Sequence, residues 1–210
     1  MKNLEDSHRA FWNAILKRGP GVVASRAGAR ADGPRIVLPL AGKTFTVDTE
    51  TKTVLEGGPG ENPLPAGYTE AVVLLTYLET ADGFPLTGQW VTERGLPHGD
   101  AYFRAPQHAL PVRDLADRFG DDPQGLVRAA IALAGKETGE ADAGVELPAL
   151  PRVPVRFNLW RPDEEFPTAE VKTFFDRSAG HYLILDGVQA LVAILVRALI
   201  EAAEESQEPS

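Results

Sequence analysis

The segment 66–80 most constrains what this chain can fold into, because its pattern is helical and nearly every side of that helix is apolar. One stripe repeats at helical spacing and consists of Tyr68, Val72, Leu75 and Leu78. The opposite side carries Val73, Leu74 and Tyr77. A helix that is apolar all round has to be buried, so we predict that it lies at the centre of a domain.

Short strands precede this helix. Alternation of apolar and polar side chains predicts strands over 35–40, 43–48 and 52–56, and Ala41-Gly42 supplies a tight turn between the first two. Consecutive strands joined by tight turns indicate an antiparallel meander. The run 57–65 contains so many glycines and prolines that we predict a loop there.

The second half of the chain mixes helices and strands. Residues 153–160 alternate between two faces, and 171–176 form a further predicted strand. One face carries Val153, Val155, Phe157 and Leu159, and the other carries Pro154, Arg156, Asn158 and Trp160. Asp122 is a good N-cap for a short helix with Pro123 in its first turn. We predict extended pieces over 89–93 and 100–104 and a polar loop over 136–144.

The two ends of the chain are predicted to be helical. Asn3 is a plausible N-cap for a first helix that ends at Gly19-Pro20. Asp186 and Gln189 have the spacing of a capping box that opens the last helix.

Because strands and helices are grouped and do not strictly alternate, we predict an α+β fold. A mainly antiparallel sheet would pack against the buried central helix and the C-terminal helix. We expect residues 1–203 to form a single domain and residues 204–210 to form a flexible acidic tail.

Charge and cysteine content exclude several classes of function. The 21 Lys and Arg are outnumbered by 30 Asp and Glu, so the net charge of −9 argues against a nucleic-acid partner. The absence of cysteine excludes disulfides, cysteine-bound metal and a thiol nucleophile. The most apolar stretch, 188–200, is too short to span a membrane, and charges near the N-terminus interrupt any signal-peptide core. We therefore expect a cytoplasmic protein without a membrane partner.

Four runs of residues are distinctive when they are taken together and in order. They are TADGFPLTGQW at 80–90, LPHGDAYF at 96–103, LPALPRVP at 147–154 with DEEFP at 163–167, and FDRSAGHYL at 175–183. These runs resemble a prokaryotic family of domains of unknown function, the family numbered 3786. Some of its members are similar in layout to corrinoid-protein subunits and carry a four-cysteine iron–sulfur module ahead of this domain. The resemblance implies a role in handling a tetrapyrrole-like cofactor and no named activity.

His181 is the first candidate site residue. It follows a predicted strand end and the small-residue turn Ser178-Ala179-Gly180, and loops at strand ends often carry function. Its imidazole could be an axial ligand to haem iron or corrinoid cobalt, or a general base, with Asp176 or Asp186 orienting the second ring nitrogen. The alternative is a histidine that only caps its loop. A serine nucleophile would have to be Ser178, three residues before His181, but no oxyanion-hole signature accompanies it.

Five further residues could contact a flat cofactor. They are Trp90, Tyr102, Tyr182, His98 and Arg104, which would supply aromatic surface, a second imidazole and a partner for ligand carboxylates. The alternatives are core packing for the aromatic side chains, a surface turn for His98, and pairing with Asp or Glu for Arg104. His8, on the first predicted helix, is expected to be solvated.

A metal site is the remaining candidate. The three consecutive carboxylates Asp163, Glu164 and Glu165 could hold a hard cation, with His181, His98 or His108 as further ligands. A solvated turn is the alternative interpretation of those carboxylates.

Three functions follow from these candidates. The first is a cofactor-binding or accessory protein for a corrinoid or haem. The second is a metal-dependent enzyme that uses histidine and carboxylate ligands. The third is a protein–protein module that docks a partner or a second copy of itself, as a homodimer, through the last helix and the tryptophans. The sequence leaves open whether the protein is an enzyme.

Overall fold

The structure is a computed structural model and describes residues 8–206. Helix α1 (Arg9–Arg18) is followed after one residue by α2 (Pro20–Ala27). Gly19 separates them with a φ of 83°, and Pro20 occupies the first turn of α2. The predicted break at Gly19-Pro20 is confirmed, but a second helix starts there, which the sequence analysis missed. The predicted N-cap Asn3 lies outside the described residues.

The first sheet is the predicted meander with an extra strand at each edge. Its strands follow chain order: β1 (Arg30–Asp32), β2 (Arg35–Leu40), β3 (Lys43–Asp48), β4 (Thr53–Glu56) and β5 (Leu64–Pro65). Ala41 and Gly42 both have positive φ, as a tight hairpin turn requires. The predicted loop 57–65 ends in β5, because Leu64 and Pro65 pair with the end of β4. Proline is tolerated there because β5 is an edge strand.

Helix α3 (Tyr68–Thr80) follows this sheet and lies at the centre of the molecule, as predicted. The residues from 73 to 78 are all buried, and Tyr77 is fully enclosed. Helices α1 and α2 pack against it from one side and the C-terminal helix from another.

The segment between α3 and the second sheet is more helical than predicted. After the short strand β6 (Trp90–Val91) come a 3-10 turn (Glu93–Gly95), α4 (Gly99–Phe103) and a second 3-10 turn (Pro106–His108). The extended piece predicted over 100–104 is therefore wrong. Asp100 and Arg104 form an ion pair at helical i, i+4 spacing, a local signal that the strand interpretation overlooked.

Two further helices complete this segment, α5 (Arg113–Phe119) and α6 (Pro123–Ala132). Asp122 caps α6, as predicted, by accepting a hydrogen bond from the Gly125 amide at 2.9 Å.

The second sheet is also antiparallel and has the order β6-β10-β9-β8-β7. It consists of β6 with β7 (Lys136–Glu137), β8 (Ala143–Leu150), β9 (Val153–Trp160) and β10 (Glu170–Asp176). The predicted inward face of β9 is confirmed, because Val153, Val155, Phe157 and Leu159 are all buried. On the other face Asn158 is buried as well, so burial does not alternate along the whole strand. The predicted polar loop 136–144 is wrong, since it contains β7 and the start of β8. Pro148 and an irregularity in pairing between Leu147 and Leu150 interrupt the pattern that would have revealed β8.

A 3-10 turn (Arg177–His181) connects β10 to the last helix, α7 (Leu185–Glu205). The predicted capping box is wrong. Asp186 accepts a hydrogen bond from the Tyr102 hydroxyl, and Gln189 donates to the carbonyl oxygens of Gln107 and Ala109. Both side chains therefore hold α4 and the 3-10 turn after it against α7. The helix includes residues 204 and 205 of the predicted tail, and 207–210 lie outside the described residues.

The fold is α+β, as predicted: the described residues form two antiparallel five-stranded sheets and seven α-helices. The sheets meet where the Ala41 amide donates to the Ala149 carbonyl at 3.1 Å. No helix in the described part of the chain is long and apolar enough to cross a membrane.

The hydroxyl of Tyr77 is predicted to be important for joining these layers. It donates to the carbonyl of Ala27 at the end of α2 and accepts from the amide of Arg152 between β8 and β9. In a Tyr77→Phe variant both buried groups lose their partner, so we expect the free energy of unfolding to fall by about 1–3 kcal/mol. Urea denaturation measures this, with Tyr68→Phe as the control because Tyr68 is 63% exposed. Equal stabilities for the two variants would contradict this role.

Candidate functional site

The loop from Asp82 to Gln89 is exposed along its length, yet it is fixed to the body of the protein by one buried carboxylate. Asp176, at the end of β10, accepts from the Thr87 amide and hydroxyl and from the Gly88 amide. It also accepts from the amide and hydroxyl of Ser178 at 2.9 and 2.6 Å. Five donors on one carboxylate hold this loop beside the 3-10 turn that carries His181.

These hydrogen bonds determine the acidity of Asp176. Burial alone would raise the pKa of this carboxyl, but the donors from Ser178 and Thr87 outweigh it and lower the pKa to about 2. The side chain is 2% exposed and is therefore a buried, ionised anchor.

The anchored loop places Asp82 against His181, which lies 99 residues later in the chain. The His181 Nδ1 is 2.7 Å from the Asp82 Oδ2. The ring of Phe84 stacks on the imidazole with centroids 4.0 Å apart and planes within 7°. The other carboxylate oxygen of Asp82 accepts from the Phe84 amide at 2.8 Å. Asp82, Phe84 and His181 therefore form one cluster, which we call the His181 cluster.

The electrostatics of the His181 cluster favour an ionised Asp82. Partial burial raises the pKa of Asp82, but the hydrogen bonds with His181 and the Phe84 amide outweigh it, so the pKa lies below its ordinary value. A carboxylate on Nδ1 favours the tautomer with the proton on that nitrogen. The Nε2 atom has no hydrogen-bond partner among the described residues, and the side chain is 41% exposed. The imidazole is thus oriented and has one nitrogen available.

Tyr182 supports this arrangement from the core of the protein. It is fully buried, its ring centroid is 5.8 Å from that of Tyr77, and its hydroxyl donates to the carbonyl of Phe84. We predicted Tyr182 as a contact to a cofactor, but the structure places it in the core, where it holds Phe84 in position.

The partner of His181 is not one of the two aspartates that we considered. Asp176 is saturated by its own donors, and Asp186 accepts from Tyr102. The prediction that one of them orients the imidazole is wrong, because Asp82 does so. Ser178 is 1% exposed and donates to Asp176, so its hydroxyl is not directed to His181 as a nucleophile would require.

The contacts of Tyr102 and Arg104 are with residues that do not belong to the His181 cluster. Tyr102 stacks on His108 with centroids 3.9 Å apart, and burial together with its hydrogen bond to Asp186 raises its pKa to about 12. Arg104 pairs with Asp100 at 2.5 Å.

The other two candidate contacts differ in exposure. The guanidinium of Arg156 lies 3.9 Å above the ring of Trp90 and covers that face. His98 is exposed and adopts a left-handed conformation with a φ of 62° just before α4. Its neighbour Pro97 packs against Gly180, beside His181.

The predicted metal ligands are not gathered. Asp163 accepts from the amides of Glu165 and Phe166 in a tight turn, and all three carboxylates of this run are exposed. Within residues 8–206, no group of three or more His, Asp or Glu side chains could hold a metal ion. His8 was expected to be solvated, but it is 7% exposed and lies beside the rings of Phe11 and Tyr68.

Asp82 and Phe84 belong to the His181 cluster, but the sequence alone did not predict them as site residues. In the sequence, Asp82 and Gly83 are simply the residues that follow the central helix. That position gives no reason to connect Asp82 to a histidine far along the chain. The available signal was the run 80–90, one of the four that carry the family resemblance.

Comparisons with known proteins agree with that resemblance. A family model described as Domain of unknown function (DUF3786) matches residues 20–198, which include both sheets and the whole His181 cluster. No curated protein and no solved structure matches the chain.

The stability contributed by Asp176 should depend on pH. Its folded pKa of about 2 lies below the ordinary 3.8, so the ionised carboxylate stabilises the fold above pH ~4 and this stabilisation is lost as pH falls toward 2. We expect Asp176→Asn to lower the free energy of unfolding by about 2 kcal/mol at pH 7, with a smaller difference from wild type below pH ~4.

Chemical denaturation at pH 7, 5 and 3 measures this difference. Asp163→Asn is the matched control, since Asp163 lies on an exposed turn. A difference from wild type that stays constant over this range would contradict the assigned role of Asp176.

Proposed function

This chain belongs to the DUF3786 family of domains of unknown function, and from that premise we propose that it is a cytoplasmic accessory protein that binds a planar tetrapyrrole, a corrinoid or a haem, through His181. The bound group would supply the metal-centred redox or ligand chemistry. The protein would supply one oriented nitrogen ligand and the surface around it.

The observation that carries the proposal is the pairing of His181 with Asp82. Histidines that ligate metals commonly donate their second N–H to a carboxylate, which fixes the tautomer and makes the free nitrogen more basic. Here Nδ1 is bonded to Asp82 at 2.7 Å and Nε2 is without a partner in the described structure. Stacking on Phe84 further restricts rotation of the imidazole.

Side chains on the loop of the His181 cluster and beside it would suit a flat, partly apolar ligand that carries carboxylate or amide arms. Phe84 and Leu86 are 41% and 45% exposed on the same loop and could contact the edge of a macrocycle. The side chain of Arg26 lies against Gly83 and has no ion-pair partner among residues 8–206, so it could pair with a ligand carboxylate.

The exposure of this loop favours an accessory role. Ligand sites that bind small molecules alone are usually clefts that enclose most of the ligand. The His181 cluster instead presents its imidazole at the surface, where Asp176 joins the exposed loop to the 3-10 turn of His181 by three hydrogen bonds from the loop and two from Ser178. Such a site suits a cofactor that is shared with a second protein.

The two alternative functions have weaker support. A metal-dependent enzyme would need several converging ligands, and the described residues contain no such group. A docking module based on the tryptophans would need their faces, but Arg156 covers Trp90 and Lys172 lies over Trp160.

Titration with tetrapyrroles tests the proposal. Haemin and cobinamide are added separately to purified protein, and the visible spectrum is followed to saturation. We expect a shift of the main absorption band at one equivalent with one of the two probes, because Nε2 displaces a weaker axial ligand. His181→Ala should abolish the shift.

His98→Ala is the matched control, because His98 is an exposed histidine beside the same 3-10 turn. We expect it to titrate like the wild type. The proposal fails if neither probe shifts, or if His181→Ala gives the same shift as the wild type.

Removing the charge of Asp82 should weaken binding without changing the fold. In Asp82→Asn the amide keeps the shape of the side chain but no longer offers Nδ1 a charged acceptor, so we expect the Kd for the responding probe to rise about tenfold or more. The same spectral titration measures it, with Asp163→Asn as control. An unchanged Kd would show that Asp82 does not assist His181.

A further inference from the structure

Strand β10 is paired along nearly its whole length on one side, but on its other side it is paired only at its C-terminal end. Residues from Glu170 to Phe175 pair with β9. On its other side β10 pairs with β6 only at Phe175 and Asp176. After β6 the chain leaves the sheet at Thr92 and enters the 3-10 turn Glu93–Gly95, so β6 does not continue along β10. The first half of β10 is therefore a sheet edge.

The main-chain groups that point toward this open edge can be identified from the pairing. The Arg177 amide donates to the carbonyl of Gln89, just before β6, at 2.8 Å. The main-chain amide of residue 177 is therefore directed toward the β6 side of β10. Direction alternates along a strand, so the amides and carbonyls of Val171 and Thr173 also point there. These two residues have no main-chain partner on that side among the described residues. Val171 and Thr173 are only 7% and 3% exposed, so an added strand can reach these groups only from the space that lies beside this edge.

A cleft of about 420 Å³ lies alongside this edge, within the size range of ligand pockets. Its lining also includes Ala109, Leu110 and Val112, which precede α5, and Thr92 and Arg94, which follow β6. Because segments other than β10 also line it, the space suits one extended segment and not the edge of a second folded sheet. We call it the edge cleft.

The two sides of the edge cleft differ in chemistry. The side toward the core is apolar, with Val171, Phe103, Leu110 and Val112. It also includes Thr173, which is 3% exposed and whose Oγ1 has no hydrogen-bond partner in the described structure. The side toward solvent carries Glu93 and Arg94, neither of which has an ion-pair partner among residues 8–206, and the paired Glu170 and Lys172.

We propose that the edge cleft binds an extended peptide segment of a partner protein, which adds to β10 as a further antiparallel strand. Main-chain hydrogen bonds to Val171 and Thr173 supply affinity in such strand addition, and alternate side chains supply specificity. The chemistry of the two sides selects a segment that alternates apolar residues with charged residues of both signs, so that a carboxylate faces Arg94 and an ammonium faces Glu93. This site is separate from the His181 cluster and does not depend on the proposed function.

Labelled peptides of defined sequence test the proposal. The probe is a fluorescein-labelled, end-blocked peptide VEVKV, and binding to the full chain is followed by fluorescence anisotropy. Peptides VEVEV and VKVKV test the need for both charges. A version of VEVKV methylated on the amides of one edge keeps its side chains but cannot pair along that edge. We expect saturable binding of VEVKV, and about tenfold or greater weakening by methylation or by either single-charge sequence.

A protein variant tests the location. Ala109 is exposed on the wall of the edge cleft, so Ala109→Trp should fill the cleft and weaken binding about tenfold or more while the protein stays folded. Ala193→Trp, at an exposed position of α7, is the matched control and should bind like the wild type.

Hydrogen exchange supplies a readout that does not depend on the variant. The amides of Val171 and Thr173 should exchange more slowly with VEVKV bound than in the free protein, while the exchange of the Lys172 amide, which is directed to β9, stays unchanged. The proposal is overturned if none of the peptides binds, if methylation or Ala109→Trp leaves the Kd unchanged, or if bound VEVKV leaves the exchange of Val171 and Thr173 unchanged.

Discussion

The hydroxyl of Tyr77 is the interaction on which the arrangement of the layers depends. It is a polar group at the centre of an apolar core, and burial raises the pKa of this phenol, so it acts as a neutral hydrogen-bonding group. A buried hydroxyl needs partners, and it finds them at the end of α2 and at the turn between β8 and β9. One side chain on α3 thereby fixes the first helices and the second sheet relative to each other.

The same core residue leads to the candidate site. Tyr77 lies beside Tyr182, Tyr182 holds the carbonyl of Phe84, and Phe84 stacks on His181. Asp176 fixes the far half of the loop through the main chain of Thr87 and Gly88. An exposed loop rich in glycine and proline is thus held at two points. This restraint fixes Asp82 and Phe84 beside His181, so the imidazole is already oriented in the protein as it folds.

Periodic patterns led to correct predictions where burial follows the chain locally. The meander, the central helix and β9 all bury a regular set of side chains, so their sequences reveal them. Predictions failed where contacts with distant residues determine the local structure. Asp186 and Gln189 have the spacing of a capping box, but each has a more distant partner. Asp186 accepts from the Tyr102 hydroxyl, and Gln189 donates to the carbonyls of Gln107 and Ala109. Strand β8 escaped detection because Pro148 and a pairing irregularity break its alternation.

The sequence by itself determined the α+β class, the position of the central helix and His181 as the first residue to test, because each rests on local patterns or on a short run of residues. Only the tertiary structure decided what His181 can do. Its partner Asp82 is 99 residues away in the chain. Asp176 and Asp186 accept hydrogen bonds from other residues, and Asp163 lies on an exposed turn. Which carboxylate meets an imidazole depends on how the end of α3 and the end of β10 are brought together, and that follows from packing around Tyr77 and Tyr182. Side-chain periodicity specifies which residues are buried, whereas pairing between polar groups far apart in the chain is specified only once the core has formed.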